Sequence, residues 1–319
     1  MSDTALRTGI EANLRAVFGG QDGVFLTDEP TLAAWLTDLG APAATFDDVL
    51  SGGHAPPARA IAVPLDYGRL PSRLALRDIF ARSSMLWISL ASFSGELDVA
   101  TYAIEKFADI DLSGAVAANR RVISQLLLAR EEIRMTGPGT DLTIRLPEML
   151  QLSSRTRTEL LPDEHSTIGN YFEVAMSPTD LAGQVDSELV VSGTLRVDSV
   201  LVAKHRELHG ERADYFTTAK NIAAQMRTAC PLYVTIEDNR FVDGFGPWAD
   251  GIDATSGREY GGAVTELAIG TGLLDPGRVD WSLNCLLNEG AAGIHLGVGN
   301  GLTGMHFDFI ATEAALVRS

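Results

Sequence analysis

The sequences GIHLGV at residues 293–298 and MHFDFI at residues 305–310 give the clearest indication of how the C-terminal half folds. Both alternate apolar residues with others, which predicts two short β-strands. Side chains two residues apart on a strand share a face, so His306 and Asp308 would point the same way. His295 would stand on the face of its own strand that is opposite the apolar residues.

Two imidazoles and a carboxylate can then converge from neighbouring strands, as a metal site needs. Gly297 and Gly299 would leave room around His295. Each histidine taken alone is better explained as a hydrogen-bonded core residue, because short motifs have many false positives. The pair formed by His306 and Asp308 favours the metal site, since an acid and an imidazole on one face of an apolar strand are costly to bury unless they are paired or bind a metal.

The composition limits the possible partners and the cellular location. The chain has 319 residues, 45% of them hydrophobic, which is enough for a sizeable core. Its net charge of −17 argues against a nucleic-acid or anionic-membrane partner. Cys230 and Cys285 lack CxxC spacing and are expected to be buried thiols in a reducing compartment. With neither a signal-peptide pattern nor an apolar run of membrane-spanning length, the sequence predicts a cytoplasmic protein.

The first half alternates strand and helix patterns, which predicts an α/β domain with parallel strands over residues 1–130. Strands are expected at 24–26, 59–65 and 85–91. Helices are expected at 4–18, 30–39, 73–82, 99–108 and 115–130. Neither GxGxxG nor GxxxxGK[ST] follows any of these strands, so no dinucleotide or phosphate-binding loop is predicted.

The second half has the patterns of antiparallel strands, which predicts a β-rich α+β domain over residues 131–319. Hairpins are expected at 132–145 and 232–242, a long alternating stretch at 189–202, and a helix at 214–227. Glu173 and Glu266 are single acids inside largely apolar runs. Taken alone, each of these two acids is better explained as a carboxylate at a strand edge or in a loop.

Taken together, these residues resemble a known family. Glu173 in EVAMSP, Glu266 in ELAIG, His295 in HLGVG and the closing His306-Phe307-Asp308 are similar to the pattern of the aminopeptidase T and aminopeptidase S family of bacterial leucyl metallo-aminopeptidases. That pattern has E-V-F-x-x-P, E-L-x-x-G, H-[IL]-x-L-G and H-x-D segments. The sequence RMTGPGTDLT at residues 134–143 also resembles the G-T-D-L hairpin at the start of the family's catalytic domain.

The resemblance implies a C-terminal domain of the metallo-aminopeptidase T type that acts on the amino end of peptides, and a homodimer. It implies two divalent metal ions, with Glu173 as the bridging and catalytic residue and Glu266, His295, His306 and Asp308 as the other ligands. Such a mixed oxygen and nitrogen set suits zinc, cobalt or manganese. Two such ions can polarise a peptide carbonyl and activate water.

Two alternatives stay open. In a non-catalytic relative, for example in a peptide natural-product pathway, the cleft would only bind a peptide. This alternative is motivated by Leu302, which takes the place of a tyrosine in relatives, by Phe172 beside the first acid, and by the short segment after His295. In a mononuclear Fe(II) ring-cleaving dioxygenase of the dihydroxypyridine branch, His295, His306 and Asp308 would form the metal triad.

Overall fold

The computed structural model describes residues 2–129, 131–178, 188–208, 213–257, 262–272, 274–299, 301 and 304–317. Within these ranges the chain is a mixed α/β protein with three β-sheets. One sheet is parallel and lies mostly in the first half, and the other two are antiparallel and lie in the second half.

The parallel sheet has the strand order β2-β1-β3-β4-β7. Neighbouring residues of its strands contribute to different cores: Phe25 and Ile61 belong to one hydrophobic cluster, and Leu26 and Ala60 to another. The sheet is therefore covered on both faces, which explains why its strands read as continuous apolar runs. The strands are β1 (Val24–Thr27), β2 (Ala43–Thr45), β3 (Arg59–Val63), β4 (Ser84–Trp87) and β7 (His165–Thr167).

The helices of the first half lie close to the predicted positions and begin at recognisable caps. Ser2 caps the first helix by accepting a hydrogen bond from the Ala5 N–H, and Thr45 and Asp48 form a capping box at the third. The helices are α1 (Asp3–Val17), α2 (Pro30–Asp38), α3 (Phe46–Leu50), α4 (Arg73–Ile79), α5 (Leu97–Asp109) and α6 (Leu112–Leu128). Short 3-10 turns cover Tyr67–Arg69 and Leu90–Ser92.

A six-stranded antiparallel sheet contains both predicted hairpins, in the order β12-β11-β9-β6-β5-β16. The second hairpin turns at Asp238 and Asn239, which both have positive φ, as a tight two-residue turn requires. The strands are β5 (Glu132–Gly137), β6 (Thr140–Arg145), β9 (Val190–Val197), β11 (Leu232–Glu237), β12 (Arg240–Asp243) and β16 (Ala315–Leu316).

A five-stranded antiparallel sheet, called the site sheet below, has the order β10-β15-β14-β13-β8. The alternating stretch predicted at 189–202 is divided between this sheet and the six-stranded one, with Asp198 at the junction. The strands are β8 (Glu173–Met176), β10 (Ser199–Ala203), β13 (Val264–Gly270), β14 (Gly293–Val298) and β15 (His306–Ala311). The remaining helices are α7 (Gly169–Phe172), α8 (Ala213–Ala229) and α9 (Ala249–Ser256), with 3-10 turns at Arg206–Leu208, Gly246–Trp248, Pro276–Arg278 and Leu286–Asn288.

Another core, separate from the two on the parallel sheet, fills the space between the two antiparallel sheets and α8 and includes Leu296 and Phe307 from the apolar face of the site sheet. The core that contains Phe25 and Ile61 is called the first core below. It joins distant parts of the chain, because Cys285, Leu287 and other residues of 274–291 pack there with α1 and α5. A domain boundary near residue 130 stays a prediction. Across the described ranges, no helix is long and apolar enough to cross a membrane.

Candidate metal centre

The five residues singled out in the sequence all lie on the polar face of the site sheet. Gly297 pairs with Asp308 on one side and with Glu266 on the other, and Ala268 pairs with His295. Because paired residues of adjacent strands share a face, these side chains point to the same side of the sheet. The small residues between them leave a depression in which larger side chains can meet.

The distances show that the side chains do meet. The Nε2 atom of His306 lies 2.8 Å from Asp308 Oδ1 and 3.4 Å from Glu266 Oε2. The Nε2 atom of His295 lies 3.7 Å from Glu266 Oε1 and 4.0 Å from Asp308 Oδ1. Ligand atoms of Glu173, Glu266 and His295 all lie within 4.8 Å of one another. We call these five residues, together with Glu289 described below, the carboxylate–imidazole cluster.

The room at Gly297 is used differently from the prediction. A Cβ atom at this position would lie 2.6 Å from His306 Nε2 and 3.0 Å from Glu266 Cβ. The glycine therefore makes space for His306 of the neighbouring strand, whereas the sequence had suggested space around His295. Side chains across a strand pair are closer than residues along one strand, which the linear sequence does not display.

The carbonyl oxygen of Gly299 fixes the tautomer of His306. It lies 2.6 Å from His306 Nδ1 and also accepts a hydrogen bond of 2.6 Å from the Thr265 hydroxyl. Because a carbonyl can only accept, Nδ1 carries a proton. The other ring nitrogen, Nε2, is thereby directed at the carboxylates, which is the arrangement expected of a histidine ligand.

Glu289 belongs to the same cluster and was missed by the sequence analysis. Its carboxyl group lies within hydrogen-bonding reach of Asp308 and is close enough to Glu173 and Glu266 to interact electrostatically. Burial first, and then these neighbouring acids, raise the pKa of Glu289 well above its ordinary value. A signal was present, because Glu289 is the only acid between Asp280 and Asp308.

The other acids and the imidazoles shift each other's pKa. Burial opposes the charge on His295, but Glu266 and Asp308 outweigh it and raise its pKa to about 9. The same two acids raise the pKa of His306 well above the ordinary value against the effect of burial. Although burial raises the pKa of Glu266, hydrogen bonds from the two histidines hold it well below the ordinary value. Burial raises the pKa of Glu173 to about 7.

The donor set fits a divalent cation. Glu173 Oε2 and Asp308 Oδ2 are buried, and neither has a hydrogen-bond partner within the described part of the chain. Buried acceptors without partners are unfavourable unless something else satisfies them. Four carboxylates and two imidazoles suit zinc, cobalt or manganese. The side chain of Glu266 is 28% exposed and that of His306 15%, so solvent reaches the cluster from their side.

Two further residues of the sequence analysis can be placed only in part. Phe172 is fully buried in the first core. Its ring lies against Gly290, the residue that follows Glu289 in the chain. Leu302, which takes the position of a tyrosine in the aminopeptidases, lies outside the described residues.

With a mixed α/β fold and a carboxylate–imidazole cluster on one face of a sheet, this protein is a candidate metal-binding protein. The chain belongs to the family of crocagin biosynthetic proteins CgnE/B, whose model matches residues 20–318. This is a family of natural-product biosynthesis.

A solved structure, wild-type AmpT from Thermus thermophilus, is similar over 98% of this chain and 94% of that chain, with 14% identity and a TM-score of 0.47. A similarity of this size says nothing about the activity or the metal of this chain, and the likeness to the aminopeptidases stays a resemblance. Among curated proteins, no sequence matches this one.

Proposed function

We propose that this protein is a metal-dependent hydrolase that acts on the amino end of a peptide intermediate in natural-product biosynthesis. The observation that carries the proposal is the carboxylate–imidazole cluster, with its six donor side chains and two buried oxygens that need a partner. Membership of the CgnE/B family supports the biosynthetic setting.

Each residue of the cluster has a role in this proposal. Glu173, Glu266, His295, His306 and Asp308 would hold one or two divalent ions. When bound, such ions polarise a peptide carbonyl and lower the pKa of water toward neutrality. His306 is already oriented for this task, because the Gly299 carbonyl accepts a hydrogen bond from its Nδ1 and directs Nε2 at the carboxylates of Asp308 and Glu266.

Two further features support action at the amino end of a peptide: the position of Glu289 and the negative charge of the site. Burial and the neighbouring acids raise the pKa of Glu289 well above its ordinary value, and in this proposal its protonated carboxyl group would give the proton to a leaving amine. The three acids on the face of the site sheet, Glu173, Glu266 and Asp308, also attract a positively charged group. The free α-amino group of a peptide is such a group, which favours action at the amino end.

The test combines metal content with turnover. Protein purified without chelator is analysed for zinc, cobalt and manganese, and then assayed with leucyl-anilide and with dipeptides and tripeptides in the presence of each metal. We expect stoichiometric metal and metal-dependent release of the first residue, both lost in Glu266→Gln. Glu132→Gln, a change of an exposed acid in the six-stranded sheet, is the matched control. Folded protein that binds metal but has no turnover with any peptide would refute hydrolysis.

A second candidate is a non-catalytic role in which the cluster region binds a peptide. The family favours this role, because the description of the CgnE/B family names a biosynthetic role and not a hydrolytic one. Binding of peptides to the wild type and to Glu173→Ala, measured by calorimetry, tests it. Unchanged peptide affinity in the variant would argue against this role for the cluster, as would stoichiometric metal with turnover.

The Fe(II) dioxygenase alternative has less support from the geometry. His295, His306 and Asp308 do come together, but Glu266 lies within 3.7 Å of both imidazoles and adds a second carboxylate to the triad. Oxygen consumption with Fe(II) and a dihydroxypyridine would test it directly.

A further inference from the structure

We infer that helices α5 and α6 of the first half position two carboxylates of the cluster, Glu173 and Glu289, through the buried amide side chains of Asn119 and Asn288. The inference rests on the proposed metal-binding role of the cluster and assigns positioning roles to residues outside it. We call the two hydrogen-bond groups the Asn119 clamp and the Asn288 clamp.

The Asn119 clamp joins α6 to three segments of the second half. Asn119 is fully buried, and its Nδ2 atom lies 3.0 Å from the carbonyl oxygen of Arg155, 3.1 Å from that of Asn170 and 3.2 Å from that of Tyr171. Its Oδ1 atom accepts a hydrogen bond from the hydroxyl of Thr271. One amide group thus binds the backbone that leads into β8 and the side chain of the residue that follows β13.

Glu173 lies at the end of this strand pair. It follows Tyr171 and Phe172 directly, and its partner in the register is Gly270, which directly precedes Thr271. The clamp therefore fixes the chain beside both members of the Glu173–Gly270 pair. A displacement of the amide would move the backbone from which the Glu173 side chain projects.

The Asn288 clamp joins α5 to the segment before Glu289. The Tyr102 hydroxyl donates to Asn288 Oδ1 at 2.8 Å and accepts from the Asp280 N–H at 3.0 Å. Asn288 Nδ2 lies 3.0 Å from the carbonyl oxygens of Asp280 and Leu283. These bonds close residues 280–288 into a compact loop, and Glu289 is the next residue.

The two clamps contact each other through Phe172 and Gly290. The ring of Phe172 occupies the space that a Cβ atom at Gly290 would need. The residue before Glu173 is therefore packed on the residue after Glu289. Side chains that hold metal ligands in place are often as important as the ligands, and their loss typically weakens metal binding by about 10-fold to 100-fold.

Two conservative variants remove one hydroxyl from each clamp. Tyr102→Phe removes the donor to Asn288, and Thr271→Val removes the donor to Asn119. The matched controls are Tyr67→Phe, which removes a buried hydroxyl bonded to Ser92, and Thr140→Val, which removes a buried hydroxyl in the six-stranded sheet. Co(II) titrations followed by the visible absorption of the ion report on its coordination, which a loss of stability alone does not change.

We expect both clamp variants to bind Co(II) about 10-fold more weakly with an altered absorption spectrum. Both controls should give the wild-type titration and spectrum. Titrations and spectra of the clamp variants that coincide with those of the wild type would overturn the inference.

Hydrogen exchange of the metal-free proteins keeps this test separate from the proposed function. If the wild type binds no Co(II), metal binding by the cluster is refuted, and exchange then decides the inference alone. Faster exchange confined to 286–291 in Tyr102→Phe and to 169–174 in Thr271→Val would support positioning. Unchanged exchange in both segments would overturn it.

Discussion

Gly297→Ala tests whether the carboxylate–imidazole cluster is the place where a metal binds. A Cβ atom at Gly297 would lie 2.6 Å from His306 Nε2, whereas ordinary Cβ contacts begin at 3.4 Å. The glycine is the second-last residue of β14 and pairs with a strand on each side, so its backbone cannot move away without breaking the sheet. The imidazole of His306 has to move away from its position 2.8 Å from Asp308 Oδ1.

The expected loss follows from this displacement. His306 would leave both the carboxylates and the Gly299 carbonyl, so one ligand and its orienting hydrogen bond are perturbed together. We expect the affinity for zinc or cobalt to fall by about 10-fold to 100-fold. Overpacking of this kind lowers the free energy of unfolding by about 1–3 kcal/mol, so the protein should remain folded.

Calorimetric titration with zinc or cobalt measures the affinity, and thermal unfolding in the presence of a chelator measures the stability. Gly277→Ala serves as the control, because a Cβ there would meet no atom nearer than 3.3 Å and the residue is not part of the cluster. A folded Gly297→Ala protein with the metal affinity of the wild type would show that His306 is not a ligand, and the proposed metal site would be wrong.

Three further predictions concern protons. The pKa of His295 is raised to about 9, so a metal ion must displace a proton from this residue at pH 7. The apparent metal affinity should therefore rise between pH 7 and pH 9. Calorimetry in buffers of different ionisation enthalpy should show the release of the proton. The raised pKa of His295 also contributes to the stability of the metal-free protein: the contribution is complete below pH 6.5 and is lost as the pH rises through about 9. The free energy of unfolding, measured with a chelator present, should therefore fall between these pH values. A free energy of unfolding that does not change with pH in this range would contradict the environment assigned to His295. Glu289→Gln replaces an acid whose pKa is raised with a neutral group of similar shape. Because the raised pKa favours the neutral acid, the free energy of unfolding should stay within about 1 kcal/mol of the wild type, while turnover should be lost. Full turnover in this variant would exclude Glu289 as the proton donor.

Local patterns predicted much of the fold. The alternation in residues 305–310 identifies β15 and the shared face of His306 and Asp308, because a strand places every second side chain on one side. The long stretch at 189–202 was harder, since one continuous alternation covers two strands of different sheets. Tertiary hydrogen bonds mark where the chain changes sheets: the Asp198 carboxylate accepts from the Thr312 amide and hydroxyl, and the Asp198 N–H donates to the Ile310 carbonyl.

The site was predictable only where its residues lie on strands with an alternating pattern or match the aminopeptidase pattern. Glu289 has neither property, because it follows a 3-10 turn and its position depends on packing against α5. The role of Gly297 depends on the strand register, which brings His306 over it. Contacts between distant segments of the chain set both features, and a single sequence does not contain the register.

The composition of the first core has a consequence for synthesis of the chain. Residues of 274–291, such as Leu287, pack with α1 and α5, which are synthesised well before them, and β7 completes the edge of the parallel sheet from residues 165–167. A nascent chain that has reached residue 130 therefore still lacks part of the hydrophobic interior around these helices. The helices stay incompletely covered until residues 274–291 have left the ribosome, so cotranslational folding of this core should finish late.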